Sequence, residues 1–413
     1  MSTDFQDVIY LFSCAALGKT AKINHKINLG EIYKISNAQG IWQTVFLSIE
    51  QLYESKQIDI DADLYNSWKQ SFMKRAVLQL QRRDVINNVL TELEKNGIKA
   101  YILKGDAVAR YYAEPLGRVS SDTDVYVGKA AIDSAEKILR QCGFEVYARS
   151  PMEHATNCVH PVIGSVDLHL TFHDDCFEEK YFCNYTDITE ERIKYTTSEG
   201  YEYYSLGVND NAVFLFLHLV KHFLSCGTGI RQIVDFLLFW KNNKEAINIM
   251  RFKKMLSDLN FNEIFSACVY IALNYLQFEK ADFADFEINA DNFFVDWLLM
   301  DIEQGGVFGN LEQRKLTIHY LFGSRARVFA EKNSRLRYIK LYIKSFGYDF
   351  LSKKYPYAAK HKFLLPIAYI NRFADLIASA FRIMSTVKKA TIENDEFKNI
   401  KNRMSIINKV CQK

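Results

Sequence analysis

The sequence predicts an α+β protein in which a small mixed β-sheet lies between helical regions. Three observations carry this. Apolar residues recur at three- and four-residue spacing up to about residue 97, and again from about residue 208. Between those limits the chain switches to short β-rich runs with short connections. One run, RVSSDTDVYV from Arg118 to Val127, keeps strand character while holding two aspartates, which are poor strand formers.

The elements follow in order. QDVIYLFSCAAL and GEIYKISNAQGIWQTVFLSIEQLY read as helices, and LYNSWKQSFMKRAVLQLQRRDVINNVLTELEKNG as one long helix capped by Asn96-Gly97. KAYILKG is a short strand, and DAVARYYAEPLG a short helix stopped by Pro115. SSDTDVYVG is the second strand, KAAIDSAEKILRQCGF an amphipathic helix ending at Gly143, and FEVYAR and GSVDLHLTFH are further strands. EYYSLG is expected to add an edge. NDNAVFLFLHLVKHFLS, IRQIVDFLLFWKNN and EIFSACVYIALNYLQF return to the helical period, and GGVFGN is a glycine turn. Tyr355-Pro356 and Leu365-Pro366 mark helix starts in the remaining stretch. Four regions result: N-terminal helices over 1–97, an α/β core over 98–207, a helical domain over 208–323 and a basic helical region over 324–413.

Composition narrows the function classes. Hydrophobic residues make up 49%, which suits a globular chain. Apolar runs such as AVFLFL fall short of the roughly 18–20 residues of a membrane span, and MSTDFQDVIYLF lacks the pattern of a signal peptide. The eight cysteines include no CxxC pair, so free thiols in the cytoplasm are expected. Residues 324–413 carry 20 Lys+Arg against 6 Asp+Glu, while the preceding residues carry 32 against 43. That asymmetry suits an anionic surface partner, or a solvated helical face.

Side chains alternate across a strand, so Asp122 and Asp124 share one face and Thr123 and Val125 the other. Neighbouring carboxylates repel unless a positive charge lies between them. A hard divalent cation such as Mg²⁺, or Mn²⁺, does this, typically with one or two carboxylates and substrate phosphates. In SVDLHL, Asp167 and His169 alternate with Val166, Leu168 and Leu170. If that strand lies beside the first, Asp167 joins the pair, and three carboxylates suffice for metal-assisted chemistry with Asp167 also placed to accept a proton. The competing reading of the Asp pair is a solvated edge strand or a turn.

The order of a strand ending in YILKG, a short helix, Arg118, the Asp-x-Asp strand and a later Asp-Leu-His strand resembles the polymerase-beta-like nucleotidyltransferases. More narrowly it resembles a bacterial family of uncharacterised nucleotidyltransferases. Ala-Gln-Gly ending at Gly40, LHLVKH, RQIVDF, GGVFG and KFLLPIAYINR look like further landmarks. The resemblance implies transfer of a nucleoside monophosphate from a nucleoside triphosphate such as ATP, with loss of pyrophosphate. It gives Asp122, Asp124 and Asp167 as metal ligands and catalytic residues, and Lys104 and Gly105 as the turn that meets the phosphates. The superfamily's Gly-Gly or Gly-Ser is replaced here by Lys104-Gly105-Asp106, which puts an acid near the phosphates and leaves Ser120 or Ser121 to supply the missing hydroxyl.

Lys104 and Arg118 are the candidate cations for the triphosphate, against a reading of each as a surface ion pair. Lys221, His222 and Arg231 would join them if the later helices wall the cleft, although Arg231 and Asp235 also have i,i+4 pairing distance. His154, Cys158, His160, His169, His173, Cys176 and Cys183 match no common zinc spacing. SCAALGKT is half a P-loop on a helical run, which argues against an ATPase. The expected function is therefore metal-dependent nucleotidyl transfer to an unidentified hydroxyl on a sugar phosphate, metabolite, protein or RNA. The alternatives are a silent nucleotide- or partner-binding protein on the same fold, and a nucleic-acid-modifying enzyme using the basic C-terminal region.

Overall fold

Two helical segments, far apart in sequence, enclose the sheet and share one core. The computed structural model describes residues 1–120, 122–148, 155–171, 192–197, 200–225, 227–306, 351, 354–375 and 405–406. It opens with α1 (Thr3–Leu17), α2 (Leu29–Ala38), α3 (Trp42–Glu54) and the 34-residue α4 (Ala62–Lys95). The helical stretch from Gly30 to Tyr53 is divided between α2 and α3 at Gly40, which has φ 63°. The half P-loop is helix: Gly18, at φ 67°, caps the C-terminus of α1, its N–H bonding back to carbonyls of that helix.

Five strands follow: β1 (Tyr101–Ile102), β2 (Asp122–Tyr126), β3 (Glu145–Val146), β4 (Ala155–His160) and β5 (Gly164–His169). Their spatial order is β1-β2-β5-β4-β3. β2 and β5 run parallel and the other pairs antiparallel, so the sheet is mixed as predicted. β4 was not anticipated. Its sequence, ATNCVH, lacks a β-branched or aromatic run, and only its partner strands show that Thr156 and Cys158 face inward. The short α5 (Asp106–Ala109) ends well before Pro115, which instead starts a 3₁₀ turn (Pro115–Gly117). EYYSLG does not join the ladder of the main sheet. It forms β7 (Glu202–Leu206), which pairs with β6 (Arg192–Thr196) in a separate antiparallel hairpin. Ser205 Oγ tethers that hairpin by donating to the Ile102 carbonyl at 2.7 Å.

One face of the sheet is apolar. Val125, Val166 and Leu168 pack there with Ile86, Val89 and Leu93 of α4 and with Ile132, Ala135 and Leu139 of α6 (Ile132–Gln141). The later helices are α7 (Val208–Ser225), α8 (Ile230–Asn243), α9 (Ile249–Asp258), α10 (Asn262–Tyr275) and α11 (Asn292–Gly305), then the short α12 (Pro356–Lys360). Their aromatic residues, among them Phe216, Phe236, Phe252 and Phe265, lie in the same core as Phe5, Phe12 and Phe46 of the first helices. No helix among the described residues is long and apolar enough to cross a membrane. Most of the basic 324–413 region and most of GGVFGN lie outside the described residues.

Arg82 locks α4 to the sheet. Its guanidinium donates to Thr123 Oγ1 at 2.9 Å, to the Ile163 carbonyl at 3.1 Å and to the Ser165 carbonyl at 2.6 Å. The residue is 7% exposed. Replacing it leaves these buried acceptors short of a charged donor, so Arg82→Met is expected to lower unfolding free energy by about 3 kcal/mol. Urea unfolding checks this; a loss below about 1 kcal/mol would mean the contact is dispensable.

Candidate metal centre and phosphate turn

The parallel pairing of β2 with β5 sets the register Asp122↔Ser165 and Asp124↔Asp167. Paired residues share a face, so Asp122, Asp124 and Asp167 all project from the side opposite the apolar core. One oxygen from each carboxylate lies within 4.8 Å of the others. Among the described residues this is the one cluster of three acidic, His or Cys side chains able to hold an ion. Oxygen ligands of this charge and spacing suit a hard divalent cation. Burial, opposed by Asn157 and aided by Asp124, raises the Asp167 pKa above the ordinary carboxylate value. Asn157 Nδ2, across the β4–β5 ladder, donates to Asp167 Oδ1 at 2.8 Å.

Asp124 is the buried member, 3% exposed. His169 Nε2 lies 2.8 Å from its Oδ1, and Lys104 Nζ 2.9 Å from its Oδ2. Burial opposes the charge, but Lys104 and His169 outweigh it and hold the carboxyl well below the usual range. Lys104 Nζ also lies 3.4 Å from His218 Nε2 on α7. An ammonium can only donate, so that imidazole nitrogen accepts. Burial and the Lys104 charge keep the His218 pKa well below its ordinary value.

Beside Lys104 the backbone turns at Gly105, with φ 69° and ψ −115°. A side chain is strained there, and an added Cβ would approach Ser120 Oγ at 3.3 Å. Ser120 thus stands next to the turn, the place expected for the replacement hydroxyl; Ser121 lies outside the described residues. Arg118 Nη1 donates to Ser120 Oγ at 2.6 Å.

Arg118 itself is 6% exposed. Its Nε and Nη2 grip Asp235 of α8 at 3.0 and 2.6 Å, and Tyr112 donates to the same carboxylate at 2.7 Å. Arg118, expected to face the phosphates, instead spends Nε and Nη2 on Asp235 and leaves Nη1 to Ser120. The i,i+4 pairing of Arg231 with Asp235 gives way to this longer-range pair. Arg231 instead donates from Nη1 to the Val119 carbonyl at 3.0 Å, which holds the segment before Ser120.

Residues 25–277 match the model of a family described as uncharacterised nucleotidyltransferase, more than half of the chain. The chain belongs to this family. No curated protein and no solved structure matches it. The matched span includes the three aspartates, Lys104, Gly105, LHLVKH and RQIVDF, whereas GGVFG and KFLLPIAYINR lie beyond it.

Several residues fall elsewhere than expected. Asp106 does not present a bare negative charge to the Gly105 turn, because Arg83 Nε donates to its Oδ1 at 3.0 Å. His222 lies against His218, their Nε2 atoms 3.0 Å apart, and it is His218 that meets Lys104. Cys158 is buried, its thiol pKa pushed up to about 12 by burial, and His169 is used on Asp124, so neither supports zinc. His154, His173, Cys176 and Cys183 lie outside the described residues. Cys14, Cys142, Cys158 and Cys268 are free thiols. Sequence reasoning missed Arg82 and Asn157, and gave no site role to His218 or Asp235, although these lie within the landmarks LHLVKH and RQIVDF.

The Arg118–Asp235 pair gives a pH-dependent expectation. Burial alone would raise the Asp235 pKa, and Arg118 reverses this, so the folded value lies below the unfolded one of about 3.9. Its stabilising contribution is then complete above about pH 4 and lost as pH falls below that. Arg118→Ala is expected to cost about 3–5 kcal/mol at pH 7, and Asp235→Asn to cost a similar amount that shrinks as pH drops towards 3. Urea unfolding across this pH series checks both; a constant deficit for Asp235→Asn contradicts the assignment.

Proposed function

We propose that this chain transfers a nucleoside monophosphate from a nucleoside triphosphate to a hydroxyl acceptor, releasing pyrophosphate. The observation that carries the reading is the convergence of Asp122, Asp124 and Asp167, an oxygen from each within 4.8 Å, on one face of the sheet. In this reading the three carboxylates hold Mg²⁺ or Mn²⁺, which would supply charge to the phosphates and acidify the attacking hydroxyl.

The chain's own groups divide the remaining work. The Gly105 turn lets the backbone approach the phosphates closely, with Ser120 Oγ beside it and the Lys104 ammonium, paired with Asp124, directly before it. The acceptor oxygen forms a bond to the α-phosphorus as the α–β bridging bond breaks, and the electron pair leaves on pyrophosphate. Asp167, whose raised pKa suits proton transfer better than that of Asp124, takes the hydroxyl proton. A hydroxyl of a sugar phosphate, a small metabolite, a protein side chain or an RNA end fits this chemistry. The neutralisation of Asp106 by Arg83 removes one reason to read the site as silent.

The test is incubation of a host lysate with each labelled nucleoside triphosphate, comparing wild type with Asp122→Asn and Asp124→Asn. Label transfer with pyrophosphate release is expected from wild type and is expected to fall by more than about a hundredfold in each variant. Calorimetry with ATP and Mg²⁺ accompanies it. Binding by wild type without any transfer supports the silent alternative, and transfer equal in the variants contradicts the proposed roles. A nucleic-acid acceptor would be recognised by binding that falls steeply with salt.

A further inference from the structure

We propose that Lys104 is an internal counter-cation for Asp124, displaced only when a metal ion and a triphosphate enter together, so that the site favours the metal–triphosphate pair over the metal alone. This rests on the nucleotidyltransferase reading of the site and adds an order of filling to it.

Asp124 presents two carboxylate oxygens to the site. Both are engaged, Oδ1 by His169 Nε2 at 2.8 Å and Oδ2 by Lys104 Nζ at 2.9 Å. The two side chains of the Lys104–Asp124 pair are 19% and 4% exposed, so water screens them poorly. A divalent cation on the same carboxylate would bring its charge within a few ångströms of the ammonium, and the two cations repel strongly in such surroundings. Lys104 must then withdraw.

Where it can go is limited. Its other neighbour is His218 Nε2 at 3.4 Å, an acceptor without negative charge. Asp106, the next acid along the chain, is already bonded by Arg83, and Asp235 is held by Arg118. Metal entry by itself therefore leaves a largely buried ammonium to share the three carboxylates with a divalent ion, which weakens its pairing at a costly site. A triphosphate changes this, because Lys104 directly precedes the Gly105 turn and phosphate oxygens there would receive the ammonium. Arg82 and Arg118 cannot substitute, since the hydrogen bonds of each fix it to the sheet or to α8.

The experiment measures Mn²⁺ binding by the electron paramagnetic resonance of the free ion. Wild type, Lys104→Met and Lys104→Gln are compared without any phosphate ligand, with Asp122→Asn as the ligand-loss control. The two Lys104 variants are expected to bind Mn²⁺ at least about tenfold tighter than wild type and to gain more in Tm from it. With inorganic tripolyphosphate and saturating Mg²⁺ the order is expected to reverse, the variants binding tripolyphosphate about tenfold more weakly. Equal or weaker Mn²⁺ binding by both Lys104 variants, with binding still lost in Asp122→Asn, overturns the counter-cation role and leaves the metal centre standing. Undetectable Mn²⁺ binding by wild type and by both variants overturns this inference together with the metal-dependent reading beneath it.

Discussion

Mutual repulsion among Asp122, Asp124 and Asp167 is the constraint around which the rest of the molecule is arranged. Parallel pairing of two strands in a register that sets Asp124 beside Asp167 concentrates negative charge on one face of a small sheet. Unfolded, the same groups would be solvated and far apart. Folded, the most buried of them, Asp124, stays ionised because the Lys104 ammonium lies 2.9 Å from it and His169 Nε2 lies within hydrogen-bond distance. A site that holds its most buried acid ionised in this way is prepared for a cation and for substrates that bring phosphate with one.

The surrounding helices make that arrangement rigid. Arg82 reaches from α4 to Thr123 and to the carbonyls of Ile163 and Ser165, and so fixes β2 relative to β5 from behind. Arg118, Asp235 and Tyr112 join the segment before β2 to α8, and Arg231 holds the carbonyl of Val119. Thr44 of α3 donates to the Gly117 carbonyl at 2.8 Å, and Gln79 of α4 to the Arg118 carbonyl at 3.0 Å. The residues leading into the Asp-x-Asp strand are thus tied to helices from both ends of the chain. Because those helices share one aromatic core, the geometry of the acidic face depends on packing far from it.

Much of this was legible in the sequence, for identifiable reasons. Alternation alone put Asp122 with Asp124 and Asp167 with His169, since the strand period needs no tertiary information. The helix cap at Asn96-Gly97 was legible because glycine directly after a helical run suits the left-handed backbone that ends it, and Gly97 has φ 74°. The shift of β7 into its own hairpin and the presence of β4 were not, because both depend on which strand offers a free edge. Arg82 was invisible in the run QRRD, where every residue suits an exposed helix face. The ion pair of Asp235 was misread because local spacing favours Arg231, whereas the partner, Arg118, is brought in by the fold.

The central claim is that the three carboxylates form a metal centre. Anomalous diffraction from crystals grown or soaked with Mn²⁺ tests it most directly. The account predicts a peak bonded at roughly 2.1 Å to oxygens of Asp122 and Asp124, with Asp167 bound to that ion or to a second one beside it. A peak elsewhere, or none at this face while the protein remains folded, would contradict it.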